Sequence, residues 1–492
     1  MAATVRRVEP GVPVPQDDAQ ATPDKGRRED IRRELREAER LIDGGDLDAG
    51  WEIVDRILTD DDPSHPLALA LGSKVWFKQR KHAVAYQFAA RLAEVDPTNP
   101  YAWSNLGMEA EQIYRFDEAD RCFHRASGLA KTDHAKATLY NQWACMLVNA
   151  GRWDEAEPMA RRALKHNPDS AKAKGNLGLA CLAQENWAEG WPLYNAIVGF
   201  DQSRRKHQYK GEPVWDGSPG KRLVVYGEQG LGDEISFASM VPDVIKMSRS
   251  VVIDCSPKLQ GLFARSFPGA KVYGTRWDLG LGWPIEDMEL DASISIGALG
   301  QFVRNSDASF PGAPYLTPDP DRVAMWKALF AKESKPVIGI GWSGGVPWTA
   351  SRFRRWTLEQ LLPVFRAFDA VWVSLEYKDA GKEISSFRAK HPEVDLRQYT
   401  FGTLTQDYDD TAAMVAALDR VISMQTTVIH LAGALGKRCD VFVNKCGQWR
   451  YGTKNGPMRW YPSVSVHRQR PDGTWPFEEL LNHGNVSHLH RV

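Results

Sequence analysis

Cysteine is scarce and unpaired in this chain. Six residues (Cys122, Cys145, Cys181, Cys255, Cys439 and Cys446) are scattered over 492 positions with no Cys-x-x-Cys. That excludes a disulfide framework or a thiolate metal site, and the six read as reduced core thiols of a cytoplasmic protein. No apolar run approaches the ~20 residues of a membrane-spanning helix. Net charge is also lacking: a formal value of -1 gives no electrostatic case for nucleic acid or an anionic membrane as partner. Residues 1–30 lack the apolar centre of a signal peptide and are expected to form a disordered tail. No His-x-x-x-His pair occurs, and Asp407, Asp409 and Asp410 are spaced for a loop and helix start rather than a cation site.

What is present is a soluble globular composition, 25% charged and 43% hydrophobic, long enough for two to four domains. From Ile31 onward, a helical pattern recurs every 34 residues. Leu69, Ala85, Ala89, Leu92 and Pro97 are followed in the same frame by Trp103, Ala119, Phe123, Ala126 and Lys131. After three inserted residues come Tyr140, Ala156, Ala160, Ala163 and Pro168, then a degraded copy at Lys174, Gly190, Tyr194 and Ile197. An earlier copy runs Leu35, Trp51, Asp55, Leu58 and Pro63. Small residues at a helix crossing and a closing proline resemble the tetratricopeptide repeat, in about five units over 31–200. A helix pair cannot bury its apolar face alone, so such units stack into a solenoid with a concave groove. The groove suits a polypeptide partner; a rigid spacer or an arm for homo-oligomerisation is the alternative.

Residues 201–220 are polar, rich in glycine and proline, and read as a linker and entry loop. Beyond them the pattern becomes β/α. Strand-like runs are Leu223–Tyr226, Val251–Asp254, Lys271–Tyr273 and Ser293–Ile296, then Val337–Trp342, Ala370–Leu375, Val421–Ser423, Asp440–Val443 and Val464–His467. Helices are expected at Leu358–Phe368 and Thr411–Leu418. Four prolines within Phe310–Asp321 separate the two series. The expectation is an α-helical solenoid followed by two Rossmann-like lobes, 221–320 and 321–492, joined by a hinge.

The stretch Arg420 to Gly436 concentrates the chemistry. A strand enters the turn Ser423-Met424-Gln425-Thr426-Thr427, and a helix follows with Gly436 as its stop. Thr426 and Thr427 stand where capping hydroxyls belong. The same helix start, at the carboxyl end of a strand, is also a phosphate cradle.

Two open sheets facing a cleft describe the GT-B architecture, and several blocks carry a resemblance to it. They are Gly227-Glu228-Gln229-Gly230-Leu231-Gly232-Asp233-Glu234-Ile235, Gly339–Gly344 with Arg354, Trp372–Tyr377, Asp410–Gly436 and Trp460-Tyr461-Pro462-Ser463. In this order they resemble bacterial tetratricopeptide proteins with a heptosyltransferase-like C-terminal domain, distantly akin to O-GlcNAc transferase. The resemblance implies a metal-independent, inverting glycosyltransferase using a nucleotide-diphosphate sugar, with no further cofactor. It assigns Asp233 as general base, where plain helix capping is the alternative, and Arg354 as the guanidinium that offsets the leaving diphosphate. Gln229, Gly230 and Gly232 would form the acceptor-side loop. Trp342, Ser343, Gln425, Thr426 and Thr427 would meet the donor diphosphate. Glu376 stands where relatives use an acid on the nucleotide ribose or a structural hydrogen bonder. His430 matches a histidine beside the donor, and also suits a satisfied core position. The acceptor is expected to be a protein held by the repeats. The alternatives are a non-catalytic repeat adaptor, or a transferase to glycans or small molecules that oligomerises through its repeats.

Overall fold

The computed structural model describes residues 25–200, 203–276, 283–284, 288–345 and 353–482. Two compact units divide the chain, Met1–Leu129 and Ala130–Val492.

Three helix pairs build the first unit: Lys25–Gly44 with Leu47–Arg56, Pro66–Lys78 with His82–Val95, and Pro100–Gln112 with Phe116–Leu129. Pro66 and Pro100 occupy first-turn positions, where a missing N–H costs no bond, and Asn99 caps its helix by accepting the Tyr101 amide at 3.0 Å. Small residues set the crossings. A methyl group at Gly72 would come within 2.9 Å of the Phe88 ring, and one at Gly107 within 3.1 Å of Phe123. The first helix starts at Lys25, inside the segment expected to be tail. Arg27 reaches Asp61 at 2.9 Å and Glu34 at 3.2 Å, which ties this turn down. The rest of the expected tail, residues 1–24, lies outside the described residues.

In the second unit two more pairs come first, Asp133–Asn149 with Trp153–His166 and Ala171–Ala183 with Trp187–Asn195. Gly178 abuts the backbone of Tyr194, where a methyl group would lie 2.2 Å from the amide nitrogen. The expected linker is no free loop. Arg204 and Trp215 are buried, and the Trp215 amide donates to the Ser293 carbonyl at 3.0 Å, so the segment runs along a sheet edge.

That sheet contains β1 (Arg222–Tyr226), β2 (Ser250–Asp254), β3 (Ala270–Tyr273) and β4 (Ala292–Ser295), all parallel in the order β3-β2-β1-β4. The second sheet has seven strands: β5 (Val337–Gly341), β6 (Val371–Ser374), β7 (Leu396–Arg397), β8 (Arg420–Met424), β9 (Cys439–Val443), β10 (Gly456–Met458) and β11 (Tyr461–Arg468). Its order is β10-β11-β9-β8-β5-β6-β7, parallel except for β10. Central strands buried on both faces explain the continuous apolar runs in the sequence. Trp342, Trp356 and Trp372 fill one core against this sheet.

Two helices differ from expectation. Pro363 falls in the first turn, so the helix begins at Leu362 and ends at Ala367 instead of spanning Leu358–Phe368. Asp407 accepts the Asp409 amide and starts its helix at Tyr408, before Thr411. The proline-rich hinge is a strap. The Tyr315 and Leu316 amides donate to the Ala434 carbonyl (3.0 and 3.2 Å), and the Tyr315 hydroxyl donates to the Ile235 carbonyl at 2.7 Å. Among the described residues no disulfide joins the six cysteines, and Cys145 and Cys446 are half-buried rather than in the core. Among the described residues no helix is long and apolar enough to cross a membrane.

Candidate functional site

A cavity of about 580 Å³ lies where the carboxyl ends of both sheets meet. After β1 the chain turns through Gly227–Gly230 into the helix Leu231–Ala238; after β8 it turns through Gln425 and Thr426 into Thr427–Ala434. Both helices start at the cavity. Gly232 makes their approach possible: a methyl group there would sit 3.3 Å from Thr427 Cα and 3.2 Å from the His430 ring. Two helix N-termini therefore direct partial positive charge into one space.

Each polar residue of the Gly227–Ile235 block has its own anchor. Glu228 pairs with Arg204, both 1% exposed. Gln229, with φ of 58°, turns its amide away to the Tyr194 hydroxyl at 2.6 Å and does not line the cavity, contrary to its expected place on an acceptor loop. Glu234 accepts the Ser256 amide at 2.8 Å and lies 3.1 Å from Arg276 Nε; burial raises its carboxyl to about 7. Asp233 does reach the cavity. One oxygen accepts the Gly230 amide at 2.9 Å, closing the helix cap, and the other is ion-paired to Arg450.

On the opposite wall, Thr426 occupies the cap position, but its side chain makes no capping bond and instead lies 3.5 Å from Ser423 Oγ. The expected capping hydroxyl is thus turned elsewhere, while Thr426 and Thr427 both face the cavity. Arg354 donates from Nε to the Gln425 carbonyl at 3.1 Å, and burial lowers its hold on its proton. Gln425 itself is buried, with Nε2 donating to Asn444 Oδ1 at 2.7 Å, and only its neighbours line the cavity.

Trp342 does not offer its amide to the cavity, and Glu376 makes structural hydrogen bonds, the second of its two expected roles. The Trp342 and Ser343 amides both donate to Glu376 Oε1 at 2.8 Å, and the Ser343 hydroxyl bonds the second oxygen. Those amides are therefore committed to a carboxylate, Trp342 packs into the sheet core, and Glu376 is buried behind the lining residues Leu375 and Tyr377. Burial raises the Glu376 carboxyl. Ser343 still lines the cavity. His430 lines it too, buried and held well below its ordinary value by burial and by Arg450 and Arg354.

Sequence reasoning missed Arg450, Tyr451, Lys258 and Tyr377, all lining the cavity. Trp449-Arg450-Tyr451, a cation between two aromatics, was the available signal. Among the described lining residues Asp233 is the sole carboxylate, against Lys258, Arg354 and Arg450. An excess of cations and helix starts around a half-open cavity suits an anion.

Comparison with known proteins matches residues 141–204 to the tetratricopeptide repeat family. Protein FlbA of Caulobacter vibrioides is 28% identical over 466 residues, covering 84% of this chain and 77% of that protein. Tetratricopeptide repeat protein 8 of Caenorhabditis elegans is 24% identical over 152 residues, 31% of this chain and 30% of its own. Among solved structures, Pseudomonas aeruginosa PilF matches with 14% identity and a TM-score of 0.33, covering 38% of this chain and 81% of PilF. A tetratricopeptide protein of Thermus thermophilus matches with 20% identity and a TM-score of 0.30, covering 34% and 90%.

Proposed function

We propose that this tetratricopeptide-repeat chain, with two parallel sheets around one cationic cavity, is a GT-B glycosyltransferase using a nucleotide-diphosphate sugar and a protein acceptor. One observation carries the reading: the cavity of about 580 Å³ places two helix starts, Arg354, Arg450 and Lys258 around a single carboxylate. A diphosphate leaving group needs that balance, because charge accumulates on its oxygens as the bond to the sugar breaks. In this reading the helix start at Thr427 and Arg354 receive the diphosphate. Asp233, on the other lobe, takes the proton of the acceptor hydroxyl as its oxygen bonds the anomeric carbon and the diphosphate departs from the opposite face. The repeats present the polypeptide, as solenoid grooves do.

Calorimetry with a panel of nucleoside diphosphates tests donor binding, and mass spectrometry of proteins co-expressed with the chain tests transfer. Wild-type protein should add a sugar mass to a polypeptide, and Arg354→Ala should lower that transfer at least about 100-fold, the scale of losing one transition-state donor. Binding to none of the diphosphates would end the reading. A second reading has an observation in its favour. Both oxygens of Asp233 are engaged, by Gly230 and Arg450, as in a site that binds a nucleotide sugar without turning it over. Donor binding with no transfer to any co-expressed protein would select this adaptor.

A further inference from the structure

Arg450 is 5% exposed, and its Nη2 is ion-paired to Asp233. Its Nε and Nη1 are buried without a hydrogen-bond partner among the described residues. The guanidinium carbon lies 5.2 Å from the ring centres of both Phe237 and Trp449, so two aromatic faces flank it. The same side chain lines the cationic cavity and a second one of about 370 Å³. A guanidinium carries five N–H donors in a planar fork that suits two oxygens at once. Here a desolvated fork has one carboxylate contact and leaves two nitrogens unpaired beside a space short of anions. Unpaired donors of a buried cation are costly, and a phosphate entering the cavity would relieve that cost.

We infer that Arg450 is a donor-binding residue that exchanges Asp233 for a phosphate of the bound nucleoside diphosphate. In the empty site it holds Asp233; with diphosphate present its fork turns to phosphate oxygens and leaves Asp233 free for the acceptor hydroxyl. The general base is thereby unmasked only after the donor is in place. This inference rests on the glycosyltransferase reading and adds to it an order of events. Asp233 and the diphosphate become competitors for one guanidinium, so the two variants should move in opposite directions.

The test is calorimetry with whichever of the uridine, guanosine, thymidine, cytidine and adenosine diphosphates the wild-type chain binds best. Arg450→Met should weaken that binding about tenfold or more, the scale of a charge-assisted hydrogen bond. Asp233→Asn should tighten it about threefold or more by removing the competitor. The double variant Asp233→Asn/Arg450→Met should bind like Arg450→Met alone, because Asp233 opposes the ligand only through Arg450. With a merely structural Arg450, any tightening by Asp233→Asn comes from removing a negative charge from the cavity and persists in the Arg450→Met background. If Arg450→Met does not fold, Arg450→Lys keeps the charge without the fork and should bind about threefold weaker or worse. Wild-type binding with Asp233→Asn no tighter, with the double variant clearly tighter than Arg450→Met, or with a folded Arg450 variant at wild-type affinity, overturns this inference and leaves the glycosyltransferase reading standing. Failure of the wild-type chain to bind any of the five overturns both.

Discussion

Glu228→Gln is expected to destabilise the second unit by about 3 kcal/mol, although Glu228 touches no part of the cavity. Its partner Arg204 is 1% exposed, with Nε 3.1 Å from each Glu228 oxygen and Nη2 3.0 Å from one of them. At charge separations of about 3.5 Å and an effective dielectric near 20, the lost attraction is roughly 5 kcal/mol. Some is retained. Arg204 keeps the Tyr194 carbonyl at 2.7 Å, Asn195 Oδ1 at 3.3 Å and the Tyr194 ring 3.8 Å below, and a glutamine oxygen still accepts one bond. No water is expected to take the vacated charge, since a methyl group at Gly297 would already lie 2.0 Å from a Glu228 oxygen. The remainder, about 3 kcal/mol, sits at the low end of measured losses for buried ion pairs broken on one side. It should lower the melting temperature by roughly 4 °C, given the size of this unit. Urea denaturation followed by tryptophan fluorescence reads this out, because Trp191 packs within 6.1 Å of Tyr194. The double variant Arg204→Met/Glu228→Met should lose less than Glu228→Gln, because no unpaired charge is left behind. A loss under about 1 kcal/mol for Glu228→Gln, or a double variant worse than the single one, would refute the electrostatic account.

Further predictions address other parts of the chain. His467 sits between Asp440 (2.9 Å) and Glu479 (2.8 Å); burial lowers its proton affinity, but these carboxylates raise it further, leaving the value above ordinary. Its contribution to stability is therefore complete below the unfolded value of about 6.5 and disappears as pH rises through the folded value; His467→Gln should flatten that slope in melts from pH 6 to 9. Glu109, buried in the first unit, is pushed up to about 8 by burial. Between the unfolded carboxyl value and 8, rising pH removes stability, so Glu109→Gln should stabilise the first unit at pH 8 by roughly 1–3 kcal/mol and change it little at pH 4, measured by differential scanning calorimetry. Gly178→Ala should cost about 1–3 kcal/mol or prevent folding, since its methyl group would meet the Tyr194 backbone at 2.2 Å, and a melt within 1 °C of wild type would contradict that packing.

The helix pairs were legible because their signal is local: small residues at Gly72, Gly107 and Gly178 receive Phe88, Phe123 and the Tyr194 backbone within one hairpin. Doubly buried strands announced themselves as apolar runs, whereas β7 and β10, with two and three residues, had no room for a pattern. The candidate site was legible only in part, because its geometry is made by pairs distant in sequence. Asp233 and Arg450 are 217 positions apart, and no spacing rule connects them. Glu376 lies at a strand end as expected. Its carboxylate turns back to satisfy the Trp342 and Ser343 amides, and a sequence pattern carries no information about that direction. Gln229 was misplaced for a related reason: a left-handed backbone at a non-glycine residue redirects the side chain.

The strap between the two sheets restrains the machinery it connects. Tyr315 grips the end of one cavity helix through Ala434 and the middle of the other through Ile235. Swinging the lobes apart about this connection would break three hydrogen bonds to the two helices that start at the cavity. A molecule braced in this way resists any change in the distance between its two helix starts.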